Sequence, residues 1–233
     1  MDGSTRTSTE TDAEEQARLQ RQFRLFQEAL PKVSAAAYQM LLGAVVPTSA
    51  AVQRELEGKE VPAAAHQQLA QLAEDERERA EVSARVGQIG FQLGSKVTEL
   101  LVFSNNPGLH FGQMDLLGVM KFICREVWKH LFGKQIDNLK TNHRGTFYLF
   151  DYDYQPIRDF ALEGEVSERE LRMVEPYLHL PCGVIRGILA SLGFGEEDTV
   201  SVTVSFVELP KERVATPHQF PRGVNFNVQI AGK

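Results

Sequence analysis

The chain has 233 residues, enough to bury one sizeable core and to form one or two domains. Hydrophobic residues make up 42% of it and charged residues 24%, as in ordinary globular proteins. The formal net charge is −6, although seven basic residues stand against four acidic ones between Ile89 and Phe150. That excess is small and scattered, so nucleic acid is not an expected partner, because its recognition needs a clustered basic face.

The two cysteines, Cys124 and Cys182, do not form a disulfide framework and are typical of a reducing compartment. The N-terminal residues are polar and acidic, without the apolar region of a signal peptide. The apolar stretch 33–46 is too short to span a bilayer. We therefore expect a cytoplasmic protein that meets membranes only peripherally.

Composition predicts a short tail followed by one domain. Residues 1–15 are rich in Ser, Thr and Glu, which is typical of a disordered segment. A single domain is expected over 16–233. Within it, residues 48–81 are rich in Ala, Gln and Glu and have few large apolar side chains, which indicates an inserted, solvated linker or helix.

Hydrophobic spacing predicts two helices before this insert. One covers 18–30 and ends at Pro31, with an apolar stripe formed by Leu19, Phe23, Phe26 and Leu30. Ser34 is suited to cap the second, which we expect to end at Pro47 because proline cannot donate a helical hydrogen bond.

A longer helix is predicted over 83–103, before the turn residues of 105–108. Its apolar stripe consists of Val86, Ile89, Leu93, Val97 and Leu100. Gly90 and Gly94 lie beside the stripe, where small residues would let another helix approach closely. In the same way, the spacing of Gly183 and Gly187 favours close packing of a later helix.

A strongly amphipathic helix follows, from a cap at Asp115 to Gly133. Short β-prone runs at 136–139 and 146–150 then predict a hairpin, with Gly145 suited to a positive φ in its loop. After a variable acidic segment at 159–175, the pattern gives a last helix over 181–193.

Two alternating segments at 199–209 and 224–230 predict C-terminal strands. Helices followed by antiparallel strands indicate an α+β fold with helices packed on one face of the sheet.

On the wheel of the helix 115–133, Phe122 lies opposite the main apolar face, among Lys121, Arg125 and Lys129. A single exposed phenylalanine is common in soluble proteins, whereas an assembly or membrane patch would also place an aromatic among basic residues. Both interpretations stay open at this point.

Catalytic groups receive little support from the sequence. Cys124 lies on an apolar helical face, which predicts a buried, inert thiol. Cys182 begins a helix with His179 three residues before it, an arrangement that a thiol hydrolase or acyltransferase could use. A core cysteine is the favoured interpretation, because no third orienting group is evident. The remaining histidines have no metal-ligand spacing, so neither a metal nor a cofactor is predicted.

Three segments carry a resemblance to a known family: GFQLG at 90–94, DLLGVMKFICREVWKHLFGKQIDNLKTNHRGTFYL at 115–149 and CGVIRGILASLG at 182–193. They resemble the small subunits of the TRAPP vesicle-trafficking complex, and most closely the branch of subunit 6, also called the 33-kDa subunit. The resemblance extends from about Ser83 to the end of the chain, and the run around Tyr38 is similar to the first helix of the family.

This resemblance implies an α/β plait with helices on a four-stranded antiparallel sheet. It also implies a heterodimer with a related small subunit through the first two family helices, here Tyr38, Leu41, Leu42, Val45, Phe91, Leu93, Val97, Leu100 and Leu101. Further TRAPP subunits would complete a tether at ER and Golgi membranes that exchanges nucleotide on Rab GTPases. The exchange activity belongs to the assembly, so this chain would be a non-catalytic scaffold.

A sister branch of the family carries an acylated cysteine just before the long helix. Residues 109–114 contain no cysteine here, so covalent acylation is not expected at that position. A module that binds a small hydrophobic ligand, such as an acyl chain, is the alternative function, because the helix 115–133 is apolar on two sides.

Overall fold

A computed structural model describes residues 5–30, 32–104, 114–160, 166–194, 199–212 and 219–230. The N-terminal half is helical, with α1 (Thr5–Ala29), α2 (Ala35–Leu56), α3 (Ala65–Glu74) and α4 (Glu76–Phe103). The long central helix consists of α5 (Leu116–Phe122), a π-helical turn (Ile123–Val127) and α6 (Trp128–Phe132). The remaining elements are β1 (Asn138–Thr141), β2 (Thr146–Asp151), a 3₁₀ helix (Gln155–Phe160), α7 (Glu168–Val174), a 3₁₀ helix (Glu175–Leu178), α8 (His179–Ser191), β3 (Val200–Val207) and β4 (Gly223–Ile230).

The four strands form one antiparallel sheet in the order β1-β2-β4-β3. Alternate residues of its central strands are buried, namely Phe147, Leu149, Val224, Phe226 and Val228. Trp128 of α6 packs edge-on against Phe226, with their ring centroids 5.3 Å apart. The predicted α+β architecture, with helices on one face of a four-stranded sheet, is therefore confirmed.

The hairpin between β1 and β2 has the loop geometry that the sequence predicts. Gly145 adopts a φ of +85°, a conformation that side chains other than hydrogen disfavour. The side-chain oxygen of Asn142 accepts from the backbone N–H groups of Arg144 and Thr146, at 2.8 and 3.1 Å. These bonds hold the loop closed at the sheet edge.

Helix α2 does not end at Pro47, contrary to prediction, and continues to Leu56. Proline at position 47 cannot donate to the carbonyl of Gly43, four residues earlier. The hydroxyl of Tyr177 donates to that carbonyl instead, at 2.9 Å. A side chain from a distant part of the chain thus supplies the bond that the proline removes.

The segment 48–81 is helical over most of its length, and one side of it packs against the domain, so the solvated character of the predicted linker or helix is corrected. It contains the end of α2, all of α3 and the start of α4, and Leu69 and Leu72 of α3 are buried. The guanidinium of Arg54 donates twice to the carboxylate of Glu78, at 2.6 and 2.9 Å. Sequence composition hides this packing because α3 has only two large apolar side chains to bury.

Two boundaries also move toward the N-terminus. Helix α4 begins at Glu76, where the Asp75 side chain caps it by accepting from the backbone N–H of Glu78 at 3.0 Å. Helix α1 begins at Thr5, so it extends into the segment 1–15 that composition indicates to be disordered. The predicted turn 105–108 and the residues 109–113 lie outside the described parts of the chain.

Helices α4 and α8 cross at backbone contact. A Cβ added at Gly90 would lie 2.1 Å from the carbonyl oxygen of Leu180, and one at Gly94 would lie 2.3 Å from that of Val184. Added Cβ atoms at Gly183 and Gly187 would meet carbonyl oxygens of α4 at 1.9 and 2.1 Å. Both glycine pairs therefore do what the sequence predicts, since only hydrogen fits between the two backbones.

The predicted caps of the central helix are present. Asp115 accepts from the N–H of Gly118 at 2.7 Å, and Gly133 ends the helix with a φ of +72°. The carbonyl of Cys124, in the π-helical turn, also accepts a bond from outside the helix. The N–H of Ile136 donates to it at 2.9 Å and anchors the chain as it leaves for β1.

Candidate interaction surface

The two thiols lie in the core and are not activated. Cys124 and Cys182 are each 5% exposed, and burial raises the pKa of both thiols to about 12. Burial also lowers the pKa of His179, so its imidazole is neutral near pH 7. A thiol with such a high pKa carries almost no thiolate at neutral pH, so Cys182 and His179 lack the chemistry of a nucleophile pair.

Within the described ranges, no cluster of three or more His, Cys, Asp or Glu side chains could hold a metal ion. One helix, Ala35–Leu56, is long and apolar enough to cross a membrane by length and composition alone. It also contains Arg54, whose bidentate pair with Glu78 ties it to α4. We interpret α2 as a packed helix of the domain with one apolar side left open.

Exposed apolar side chains concentrate on α2 and α4. On α2 these are Met40 (77% exposed), Leu41 (65%), Val52 (36%) and Leu56 (72%), and on α4 they are Ile89 and Leu100 (41% each). The two helices pack against each other. We call these six side chains the α2–α4 apolar surface. Single exposed apolar side chains are normal for a soluble domain, whereas here six of them lie on two adjoining helices.

The predicted partner-interface residues divide into three groups. Leu41 and Leu100 are exposed, as an interface requires. Tyr38, Val45, Phe91, Leu93 and Val97 are half-buried. Leu42 and Leu101 are only 5% and 7% exposed and belong to the core of the chain itself. The family resemblance assigned all nine to one surface, because it identifies the two pairing helices but does not reveal which side of each helix meets its own domain.

The predicted interface omits four exposed apolar side chains of these two helices, namely Met40, Val52, Leu56 and Ile89. Two of them lie beyond Pro47, where the sequence predicts the helix to have ended. Val52 and Leu56 follow Leu41 by 11 and 15 residues. If the predicted helix is continued through the proline, this spacing places both side chains near the helix face that carries Leu41.

Near Tyr38 the surface has an unsatisfied polar group. The Tyr38 hydroxyl is buried and has no hydrogen-bond partner among the described residues, and burial raises its pKa. An isolated buried hydroxyl is costly, so a donor or acceptor supplied from outside would be favourable here.

Phe122 is 3% exposed, so it is a core residue and cannot be the exposed aromatic of an assembly or membrane patch on the central helix. Lys121, Arg125 and Lys129 are exposed as predicted. The helical wheel misplaces Phe122 because it assumes one buried side. Here the helix is buried around most of its circumference, including Val119, Met120, Ile123, Val127 and Trp128. Its two apolar sides are occupied by packing within the protein.

These features describe an α+β protein with inert thiols, whose distinguishing surface is apolar and lies on two adjoining helices. Residues 64–231 match the family described as transport protein particle (TRAPP) component. The chain therefore belongs to the TRAPP component family, and its relatives place it in the branch of subunit 6.

Among the similar proteins, trafficking protein particle complex subunit 6b of Danio rerio is 31% identical over 129 residues, which are 55% of this chain and 76% of the relative. Subunit 6B of Homo sapiens is 31% identical over 128 residues, covering 55% and 75%. An uncharacterized protein of Schizosaccharomyces pombe is 34% identical over 134 residues, and the chain spans only 50% of its length.

The solved structures include trafficking protein particle complex subunit 3 of Naegleria fowleri, covalently bound to palmitic acid. Its identity to this chain is 15% and its TM-score is 0.49, with 86% of this chain and 99% of that one covered.

Proposed function

We propose that this chain is a non-catalytic scaffold subunit of a TRAPP tethering complex in vesicle transport. The observation that carries the proposal is the α2–α4 apolar surface in a chain of the TRAPP family. The family resemblance assigns pairing of small subunits to these same two helices. We therefore infer that a related small subunit covers the surface and forms a heterodimer with this chain.

The energetics favour such a pairing. Complete burial of a Leu or Met side chain contributes about 1.5–3 kcal/mol, and Met40, Leu41 and Leu56 are each more than 60% exposed. The costs of association reduce the net gain, so a partner must cover several of these side chains at once. Two facing helices provide such a continuous cover.

Activity toward Rab GTPases is proposed only for the assembly, at ER and Golgi membranes where the complex would bind peripherally. The isolated protein is expected to leave nucleotide exchange on a Rab GTPase at its intrinsic rate.

The pairing is tested by co-expressing the chain with each related TRAPP small subunit of its own species and measuring mass by size exclusion with light scattering. We expect a one-to-one heterodimer, and we expect Leu41→Glu with Leu100→Glu to abolish it. Each glutamate would be desolvated against an apolar partner, at a cost of several kcal/mol. Both positions are exposed in the free chain, so the variant should fold.

Leu25→Glu provides the matched control, because Leu25 is 56% exposed but lies on α1. It should leave pairing unchanged. A chain that stays monomeric with every related subunit would overturn the proposal, and wild-type pairing by the double variant would overturn the placement of the interface.

A further inference from the structure

Helix α1 carries an apolar stripe that the domain does not cover. Leu19, Phe23, Phe26 and Leu30 are half-buried, and every other side chain from 13 to 30 is exposed. Among the described residues, none of these four belongs to the hydrophobic core or packs against it. Helix α1 also makes no extensive contact with another described element. Its apolar side therefore has no substantial cover within the described part of the chain.

The spacing of this stripe is that of a coiled-coil seam. Successive members are separated by four, three and four residues, so they occupy only the a and d positions of a heptad. The N–H of Leu30 donates to the carbonyl of Phe26 at 3.1 Å, so the last member continues the helical ladder. A stripe restricted to these positions is narrower than the face by which a surface helix packs on a domain. A second helix is the cover that fits it.

The stripe is self-complementary when two copies of α1 run antiparallel. Its order of leucine, phenylalanine, phenylalanine and leucine, with these spacings, reads the same in both directions. About a two-fold axis midway along the stripe, Leu19 meets Leu30 of the second copy, and Phe23 meets Phe26 of the second copy. Each a position then faces a d position in four layers, and both copies use the same surface, as in an isologous interface.

The positions beside the stripe carry no charge. The e and g positions within it hold Gln20, Gln22, Gln27 and Ala29. Charges at these positions normally select the partner of a coiled coil, so nothing here repels a second copy or selects a differently charged helix. In the antiparallel pair, the Gln20 amide lies beside the Gln27 amide of the other copy, and two amides can hydrogen-bond to each other.

Charge along α1 favours the antiparallel orientation. The exposed Glu14 and Glu15 precede the stripe, whereas Arg18, Arg21 and Arg24 follow on the side of the helix away from it. Parallel pairing would bring the two acidic ends together, which is unfavourable, and antiparallel pairing separates them. An anionic membrane would repel the same acidic turn, so a second copy fits the helix better than a lipid surface.

We propose that α1 pairs antiparallel with α1 of a second copy and joins two chains through a short coiled coil. Helix α1 lies outside residues 64–231, which match the TRAPP family, so this pairing belongs to the segment before the family domain. It uses none of the side chains of the α2–α4 apolar surface. It is therefore independent of the proposed heterodimer and keeps the one-to-one ratio of its subunits.

The test uses the full chain with Leu41→Glu and Leu100→Glu, a background that removes the α2–α4 apolar surface as a cause of self-association. Sedimentation equilibrium over a concentration series should show monomers and dimers. Phe23→Glu places a charge in two of the four layers and should weaken the dimer at least about tenfold. Leu25→Glu is the matched control and should leave the dimer unchanged, because Leu25 is 56% exposed and lies outside the stripe.

A mixture of two variants tests the antiparallel register. Phe26→Lys alone should weaken the dimer as Phe23→Glu does. When the two variants are mixed, antiparallel pairing sets the introduced carboxylate against the introduced ammonium in one layer and keeps two phenylalanines together in the other. The mixture should therefore associate at least about tenfold more tightly than either variant alone. A parallel pair would place each charge against a phenylalanine and gain nothing.

Three results would overturn the proposal: a monomer at every concentration, a dimer that Phe23→Glu leaves unchanged, or no gain on mixing. Flotation of the full chain with vesicles of phosphatidylcholine and phosphatidylserine tests the membrane alternative. Vesicle binding that Phe23→Glu abolishes, in a chain that stays monomeric without vesicles, would show that the stripe meets lipid and would reject a second copy as its partner.

Discussion

Tyr177 shows how one side chain allows a proline inside a helix. Its hydroxyl donates to the Gly43 carbonyl, which Pro47 leaves without a helical donor. The Tyr177 ring is buried, and that burial raises the pKa of its phenol, so the hydroxyl remains a donor at all ordinary pH values. The bond joins residues 134 positions apart in the chain.

Tyr177→Phe should lower the free energy of unfolding by about 1–2 kcal/mol, because it leaves the partly buried Gly43 carbonyl without a donor. In a Pro47→Ala background the new N–H at position 47 can donate to the same carbonyl, so the cost should be smaller. Urea unfolding of the four proteins in this cycle measures the difference. Equal costs in the two backgrounds would show that Tyr177 does not compensate for the proline.

The sequence predicted the residues with local signals well. Asp115, Gly133 and Gly145 serve as the cap, helix end and hairpin turn that their types indicate. It failed where a distant contact decides the result. Pro47 breaks helices by its own chemistry, and no residue near it in the sequence indicates that Tyr177 supplies the missing hydrogen bond. Phe122 likewise appears exposed on a wheel, because a wheel does not show how many sides a helix buries.

At the scale of elements, one ion pair ties α2, α3 and α4 together. Arg54 of α2 makes a bidentate pair with Glu78 of α4, and the same guanidinium also donates to Gln71 of α3. The Arg54 and Glu78 side chains are 11% and 2% exposed. A polar contact of this kind leaves no periodic apolar signal, which is why composition alone predicts a solvated linker or helix here.

Arg54→Met should lower the free energy of unfolding by about 3–5 kcal/mol, because the carboxylate of Glu78 stays buried without its partner. Combining it with Glu78→Leu should recover most of that loss. Chemical denaturation of the single and double variants provides the measurement.

Lys96→Met is the control for this effect, since it breaks the exposed pair with Glu99 and should leave stability unchanged. If the double variant lost the sum of the two single costs, the pair would not act as a unit.

For the whole molecule, the proposed pairing would link stability to the concentration of the partner. A subunit that binds only the folded chain stabilises it by mass action, by about 2.7 kcal/mol when its concentration is 100 times the dissociation constant. We expect the unfolding midpoint of the chain to rise with the concentration of its pairing subunit.

The variant with Leu41→Glu and Leu100→Glu should show no such rise, whereas Leu25→Glu should behave as wild type. Scanning calorimetry across a concentration series measures this. A midpoint that does not depend on the partner would contradict the proposed pairing.

The fold class and the two helices that carry the α2–α4 apolar surface were predictable from periodicity and family resemblance. Which residues form that surface was not predictable, because it depends on which side of α2 meets α4.

The crossing of α4 and α8 fixes the position of one helix relative to the other. With glycine at each contact, the two backbones touch directly, and no side chain between them can change rotamer to absorb a displacement. Helix α4 belongs to the α2–α4 surface, and α8 packs against β3. A partner held on α4 would therefore keep a constant position relative to α8 and to the sheet that α8 packs against.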